Sequence, residues 1–271
     1  MPLVEIAGHE LYHERRGSGE PLLLIQGMSG NHLHWGEPFR SLIEPQFDTI
    51  IFDNRGIGRS APMTGPFTIA DLADDAAALL DVLGIEEAHV MGISMGGMAA
   101  QELALRHPER VRTLVLGCTT AGGANATPTD PEVVGRLAEL FMSGRIGEVF
   151  AEGFRFNVSS EFAADQGNVD TFRQIAAELP MELPIMLAQF QAVTGHDTSS
   201  RLGDIATPTL ILHGSDDRIL PVGNAHHLAA LMPDARLEIF DGVGHLFWWE
   251  RPERSAELVR EHAAAGAAAA Q

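Results

Sequence analysis

Short apolar runs alternate with helix-patterned stretches along most of this chain, and no other feature narrows its fold as sharply. "PLLLIQG" (21–27) and "FDTIIFD" (47–53) are apolar runs bounded by turn residues, the pattern of strands buried on both faces. In "TIADLADDAAALLDVLG" the positions Ile69, Leu72, Ala73, Ala76, Leu79, Leu80 and Leu83 follow helical spacing, with Thr68 to cap the start and Gly84 to stop it. Asp71, Asp74 and Asp75 fall in the early turns, where the helix dipole favours negative charge. "AHVMG" then reads as a strand, "GGMAAQELALRH" as a buried helix stopped before Pro108, and "VRTLVLGCT" as another strand. The rhythm returns with a strand at 207–214, a helix at 222–231, the strand "RLEIF" (236–240) and a helix from Pro252. Such repetition predicts an α/β fold, a mostly parallel doubly wound sheet with helices on both faces. "LVEI" and "ELYHERR" are expected to add an antiparallel hairpin at one edge.

Between about residues 122 and 204 the alternation stops. Helical patches rich in Phe and Met appear, among them Phe141, Met142, Phe154, Met186 and Phe190, and no strand pattern stands out. The stretch is too long for a plain loop. The expected organisation is therefore a core domain of residues 1–121 and 205–271, with 122–204 as a helical cap inserted over the sheet.

The chain has 271 residues and a formal net charge of −19, which argues against binding a phosphate backbone and so against a nucleic-acid partner. The longest apolar runs are too short to span a bilayer, and the first residues carry no basic stretch followed by an apolar one, so neither a membrane span nor a secretory signal is expected. One cysteine, Cys118, leaves no internal disulfide and fits a reducing compartment; a cytoplasmic location is expected, with Cys118 an inert buried thiol.

The chemistry gathers at Gly92-Ile93-Ser94-Met95-Gly96, a G-x-S-x-G string. As a bare string it is weak, but here it sits where a strand hands over to a helix. A tight bend there forces small neighbours on the serine and projects its hydroxyl beyond the carboxyl end of the strand, where ligands bind in parallel sheets. The following helix contributes free N–H groups and a positive end. A dinucleotide-binding reading fails, because serine stands in "GISMGG" where the second fingerprint glycine belongs. A serine hydroxyl needs a base, and the base an orienting acid. "LHGSDDRILP" offers Asp216 and Asp217 after one late strand, and "DGVGHLFWWERPE" offers His245 after the next. Of the histidines, His245 alone combines a late loop with the order serine, acid, histidine.

Across nearly its whole length the sequence resembles the α/β-hydrolase superfamily, especially its cofactor-free esterase, haloperoxidase-like and enol-lactonase-like branches. The resemblance lies in "DNRGIGRS" (53–60), "GISMGG" (92–97), "HPERVRTLVL" (107–116), "GSDDRILP" (214–221) and "GVGHLFWWERPE" (242–253). It implies an α/β-hydrolase fold with a catalytic triad of Ser94, Asp217 and His245, because the family acid falls three residues after the glycine and four before the proline, leaving Asp216 as a turn or surface residue. It also implies an oxyanion hole from the backbone N–H groups of Met28 and Met95, although Gln26-Gly27 replaces the common His-Gly pair before Met28. "DNRGIGRS" reads as structure, with Arg55 tying loops together. His32, His34 and Trp35 follow the oxyanion loop and either line a pocket or face solvent. Trp35, Phe141, Met142, Met186 and Phe247 are the candidate pocket residues.

No metal or organic cofactor is expected, and a single cysteine leaves no Cys-Cys metal spacing. The expected activity is hydrolysis of carboxylic esters of small to medium apolar substrates. Lactone hydrolysis, carbon–carbon bond hydrolysis and a haloperoxidase-like perhydrolysis use the same triad, and a non-enzymatic receptor is the remaining reading. The expected partner is a small-molecule ester or lactone, with the oligomeric state left open. Serine in place of aspartate at position 94 argues against haloalkane dehalogenase and epoxide hydrolase chemistry.

Overall fold

A computed structural model describes residues 3–63, 65–144 and 146–269. Its centre is an eight-stranded sheet: β1 (Leu3–Ile6), β2 (His9–Gly17), β3 (Glu20–Ile25), β4 (Phe47–Phe52), β5 (Ala88–Ile93), β6 (Val111–Gly117), β7 (Thr209–Gly214) and β8 (Arg236–Phe240). Their spatial order is β1-β2-β4-β3-β5-β6-β7-β8. From β4 to β8 every neighbour pairs in parallel, whereas β1 pairs antiparallel with β2 and β2 with β4. The expected edge hairpin is present. Ala7 and Gly8 both take positive φ (46° and 85°), the two-residue turn whose twist matches the strands it joins.

Around the sheet lie α1 (Glu37–Ile43), α2 (Ile69–Val82), α3 (Met95–Arg106), α4 (Pro131–Met142), α5 (Ile146–Asn157), α6 (Ser160–Ala164), α7 (Gln166–Glu178), α8 (Leu183–Thr194), α9 (Gly223–Leu231), α10 (Phe247–Glu250) and α11 (Pro252–Ala269). Helix α2 starts as its sequence dictates: Thr68 accepts from the Asp71 N–H while the Asp71 carboxylate accepts from the Thr68 N–H. Leu72, Ala73, Ala76, Leu79 and Leu80 of α2 join Met98, Ala99 and Leu103 of α3 in the core on one face of the sheet. On the other face Phe39 and Ile43 of α1 meet Leu258, Val259 and Ala263 of α11. Strands β5 and β7 are buried at every residue, which is why they read as continuous apolar runs rather than alternating ones. None of the described helices is long and apolar enough to cross a membrane.

Helices α4 to α8 all fall between β6 and β7, in the stretch where the sequence rhythm stops. The two ends of this insertion are fastened together. Gly122 forms an isolated antiparallel bridge with Asp197, the Thr198 N–H donates to the Ala121 carbonyl at 2.9 Å, and the Thr198 hydroxyl donates to Gln101 Oε1 of α3 at 2.6 Å. The loops that follow β3, β5, β7 and β8 all emerge at the carboxyl end of the parallel sheet, where a site is expected.

Candidate active site

Ser94 sits between β5 and α3 with φ 52° and ψ −121°, a backbone conformation costly for any residue but glycine. The turn is locked from both sides. The Ser94 N–H donates to the Gly117 carbonyl at 2.9 Å, and the Ser94 carbonyl accepts the Thr119 hydroxyl at 2.7 Å and the N–H groups of Gly97 and Met98. Two of its glycines are obligatory by contact. A Cβ on Gly92 would meet the Gly96 carbonyl and, at 2.8 Å, the Ala100 methyl; one on Gly96 would meet the carbonyl oxygens of Ile25 and Gln26. With a side chain at either position the bend or its neighbours must shift.

Of the two acids after β7, Asp216 is exposed and Asp217 is buried. Asp217 Oδ1 accepts the N–H groups of Ile219 and Leu220, each at 2.9 Å, and Oδ2 accepts His245 Nδ1–H at 2.6 Å. A second histidine shares that oxygen: His213 Nε2 lies 3.1 Å from Oδ2 and 2.6 Å from the Leu220 carbonyl. Both neighbours are acceptors, so Nε2 carries the proton. Burial pushes the Asp217 pKa up, but the charge of His245 and the hydrogen bonds from both histidines outweigh it and hold the carboxyl at about 2. The acid is therefore ionised and points one imidazole in a fixed tautomer. Among the described residues no hydrogen bond joins the Ser94 hydroxyl to the His245 ring; such bonds often close only when substrate binds.

The loop of His245 is held by neighbours far away in the chain. The Gly242 N–H donates to the Ser215 hydroxyl at 2.8 Å, and the Leu246 N–H to the Asn157 carbonyl at 2.8 Å. Buried Glu250 takes the N–H groups of Gly244 (2.8 Å) and Ser159 (3.0 Å) on one oxygen. Cys118, beneath the site, has its thiol pushed well up by burial, as suits an inert sulfur.

The loop after β3 brings Gly27 beside Ser94, where a Cβ on the glycine would stand 3.0 Å from the serine Cβ. Its N–H groups can be accounted for one by one. Gly27 donates to Gln26 Oε1 (3.0 Å), Ser29 to Gln189 Oε1 (2.9 Å), Gly30 to the Gly27 carbonyl (3.2 Å) and Asn31 to His34 Nδ1 (3.1 Å). The Met28 N–H alone in this run has no acceptor among the described residues, and the Met95 N–H at the start of α3 has none either. Open backbone donors next to a serine are suited to receive a developing oxyanion. The Met95 side chain is buried in the core, and that of Met28 is 40% exposed.

"DNRGIGRS" braces this loop. Asn54 Nδ2 donates to the Gln26 carbonyl at 3.1 Å, and Arg55 grips Asp75 of α2 with two bonds of 2.6 Å. His32 is not at the solvent: its ring and N–H both bond Asp53 (2.9 and 2.6 Å) with no exposed surface. The His34 ring meets the edge of Phe172, 5.3 Å between centroids, and burial pushes its pKa down to about 4.

The five expected pocket residues separate. Trp35 is fully buried between Phe39 and Trp248, and Phe247 between Phe240 and Trp248, so both belong to the core on the α1 and α11 face rather than to an open wall. Met142, at the end of α4, is 87% exposed and encloses nothing. Met186 is half-buried on α8, and the Phe141 side chain lies outside the described residues. His213, Glu250 and Gln189 were not singled out from sequence. Only His213, four residues before the acid and at the end of its strand, carried a local sign.

The family described as alpha/beta hydrolase fold matches residues 20–252. Over 96% of this chain and 97% of its own length, the "Putative carbamate hydrolase RutD" of Azorhizobium caulinodans is 32% identical. Est816, solved as an N-acyl homoserine lactone degrading enzyme, is 30% identical with a TM-score of 0.80, covering 96% of this chain and 99% of its own. A thermophilic esterase from Thermogutta terrifontis is 28% identical with a TM-score of 0.79, covering 96% and 95%.

Proposed function

The chain belongs to the alpha/beta hydrolase fold family and is a hydrolase, and from that premise we propose that it cleaves carboxylic esters of small to medium apolar substrates through Ser94, His245 and Asp217. The observation that carries this reading is the buried 2.6 Å bond from His245 Nδ1 to an aspartate held at about 2, in loops at the same end of the sheet as a serine on a strained turn. An ionised Asp217 keeps the proton of His245 on Nδ1, leaving the Nε2 lone pair to take the Ser94 proton. Ser94 attacks the carbonyl carbon, and the N–H groups of Met28 and Met95 receive the charge that moves onto its oxygen. The imidazolium then gives its proton to the leaving alcohol. A water molecule, deprotonated by His245, releases the acid and restores the serine. Helices α4 to α8 act as the cap that shapes the acyl site.

Lactone hydrolysis is the second reading, favoured by the 30% identity to Est816 over nearly the whole of both chains. It needs the same steps, with the leaving alcohol tethered to the acyl group. A panel of p-nitrophenyl esters of increasing chain length, acyl homoserine lactones and aryl carbamates separates the readings by relative kcat/KM. Hydrogen peroxide with a halogen acceptor tests for perhydrolysis. Ser94→Ala should lower turnover of the best substrate by ~10⁴-fold or more and abolish labelling by a fluorophosphonate. Turnover retained in that variant removes the serine from the mechanism.

A further inference from the structure

Gln189 stands out on α8. The buried residues of that helix are Ile185, Ala188, Gln189 and Ala192, one inward face at helical spacing, while Leu183, Leu187 and Phe190 are exposed. A polar amide with no exposed surface thus interrupts an otherwise apolar seam. Its Oε1 accepts the Ser29 N–H at 2.9 Å, from 160 residues away in the chain, and its Nε2 has no partner among the described residues. For packing alone an apolar side chain of that size would serve better, since an unmet buried donor works against the fold.

The partner it chooses is informative. Ser29 has φ 67°, a left-handed conformation that non-glycine residues avoid, and it follows Met28, the residue whose N–H is left open beside Ser94. A hydrogen bond to the Ser29 N–H pins the Met28–Ser29 peptide plane. Without it, Ser29 relaxes toward negative φ, that plane rotates and Met28 is drawn from its place. We infer that Gln189 is a positioning residue: inserted helix α8 holds the oxyanion loop in its working shape, and hydrolysis depends on that helix being seated. The inference rests on the serine-hydrolase reading and adds to it a link between insertion and catalytic loop.

The test is Gln189→Met, which keeps the volume and removes the acceptor. The expected result is a fall in kcat of roughly ten- to hundredfold, less than the ~10²–10³ of losing an oxyanion donor outright. KM should stay within about twofold, because the loop is needed in the transition state more than in binding. The melting temperature should stay level or rise. Amide exchange at Ser29, read by hydrogen–deuterium exchange of the segment 26–31, should quicken about tenfold or more. Adding Ser29→Gly to Gln189→Met should recover much of the lost kcat, because glycine adopts positive φ without help. Unchanged kcat and unchanged Ser29 exchange in Gln189→Met overturn the inference. So does a loss of activity that tracks a lowered melting temperature and is not relieved by Ser29→Gly. If the parent protein neither turns over esters nor takes up a fluorophosphonate, the hydrolase reading fails separately, and exchange at Ser29 still decides whether Gln189 holds the loop.

Discussion

Replacing Asp217 by Asn removes one charge and almost no volume, so its effect can be worked from the bonds around the carboxylate. Oδ1 faces two backbone donors, the N–H groups of Ile219 and Leu220, and Oδ2 faces two ring donors, His245 Nδ1 and His213 Nε2. An amide has one acceptor end and one donor end, so either orientation sets donor against donor. The backbone pair is fixed, whereas His245 can change tautomer and His213 keeps the Leu220 carbonyl at 2.6 Å. The amide oxygen therefore takes the Oδ1 position and the NH₂ group faces His245. Nδ1 must then accept, its proton moves to Nε2, and no lone pair remains for the serine proton. The expected loss in kcat is ~10⁴, the size found when a triad acid is made an amide, or about 5.4 kcal/mol of transition-state stabilisation. Stability should fall by only about 1.5–3 kcal/mol, the range for a charge-assisted bond. Continuous absorbance with a p-nitrophenyl ester gives kcat, and fluorophosphonate labelling of Ser94 should slow in parallel. If Asp217→Asn stays within about tenfold of the parent, the carboxylate does not set the tautomer of His245.

Gly96→Ala should cost about 1–3 kcal/mol in a urea titration and lower kcat/KM as well, because the added methyl pushes on the Ile25 and Gln26 carbonyls at the root of the oxyanion loop; full stability and activity would contradict that contact. Burial holds the His196 imidazole at about 4, below its ordinary 6.5, so the unfolded chain takes up this proton first. Its contribution is therefore present above pH 6.5 and lost as pH falls toward 4, on the order of 3 kcal/mol. His196→Gln should flatten that part of the stability profile between pH 7 and 4.5, and an equal loss in parent and variant would rule it out.

Local patterns carried the fold and the serine, and long-range contacts carried the rest. Strands β5 and β7 are buried along their whole length, so their apolar runs were legible without knowing any neighbour. Gly92 was legible for a local reason, since a Cβ there meets the Gly96 carbonyl of the same bend, whereas the carbonyls that exclude one at Gly96 come from Ile25 and Gln26 at the end of β3. Asp217 was chosen over Asp216 only by the spacing that the resemblance implies, three residues after Gly214 and four before Pro221, which carries no physical reason of its own. What separates them is the direction of the turn after β7, which leaves the first exposed and aims the second at His245. The aromatic pocket was not legible, because a hydrophobic ring signals burial but not against what. Trp35 and Phe247 pack on Phe39, Phe240 and Trp248 instead. The order of β3 and β4 in the sheet, and the grip of Gln189 and Glu250 on loops 160 and 91 residues away, exist only in three dimensions.

Those grips follow from what the site asks of its backbone. A sheet of this kind delivers the loops after all its parallel strands to one end, but a loop has no ladder to keep it in place. Ser94, Ser29 and Cys118 all hold positive φ without being glycine, and each would relax if released. Ser94 is held by β6 through Gly117 and by Thr119, and Cys118 by β7 through Leu212, all elements of the sheet or its immediate turns. Ser29 has no strand beside it, and its N–H is held from the inserted helices. The His245 loop is held from both sources: Gly242 and Val243 bond the loop after β7, while Asn157 accepts the Leu246 N–H and Glu250 of α10 joins Gly244 to Ser159. Side chains that do this leave buried atoms with no partner among the described residues, Nε2 of Gln189 and Oε2 of Glu250 among them, at a cost of about 1–3 kcal/mol each unless solvent meets them. A fold selected for stability alone would place apolar residues there. Their presence where the loop after β3 and the His245 loop meet the insertion ties α4 to α8 to the geometry of the proposed reaction.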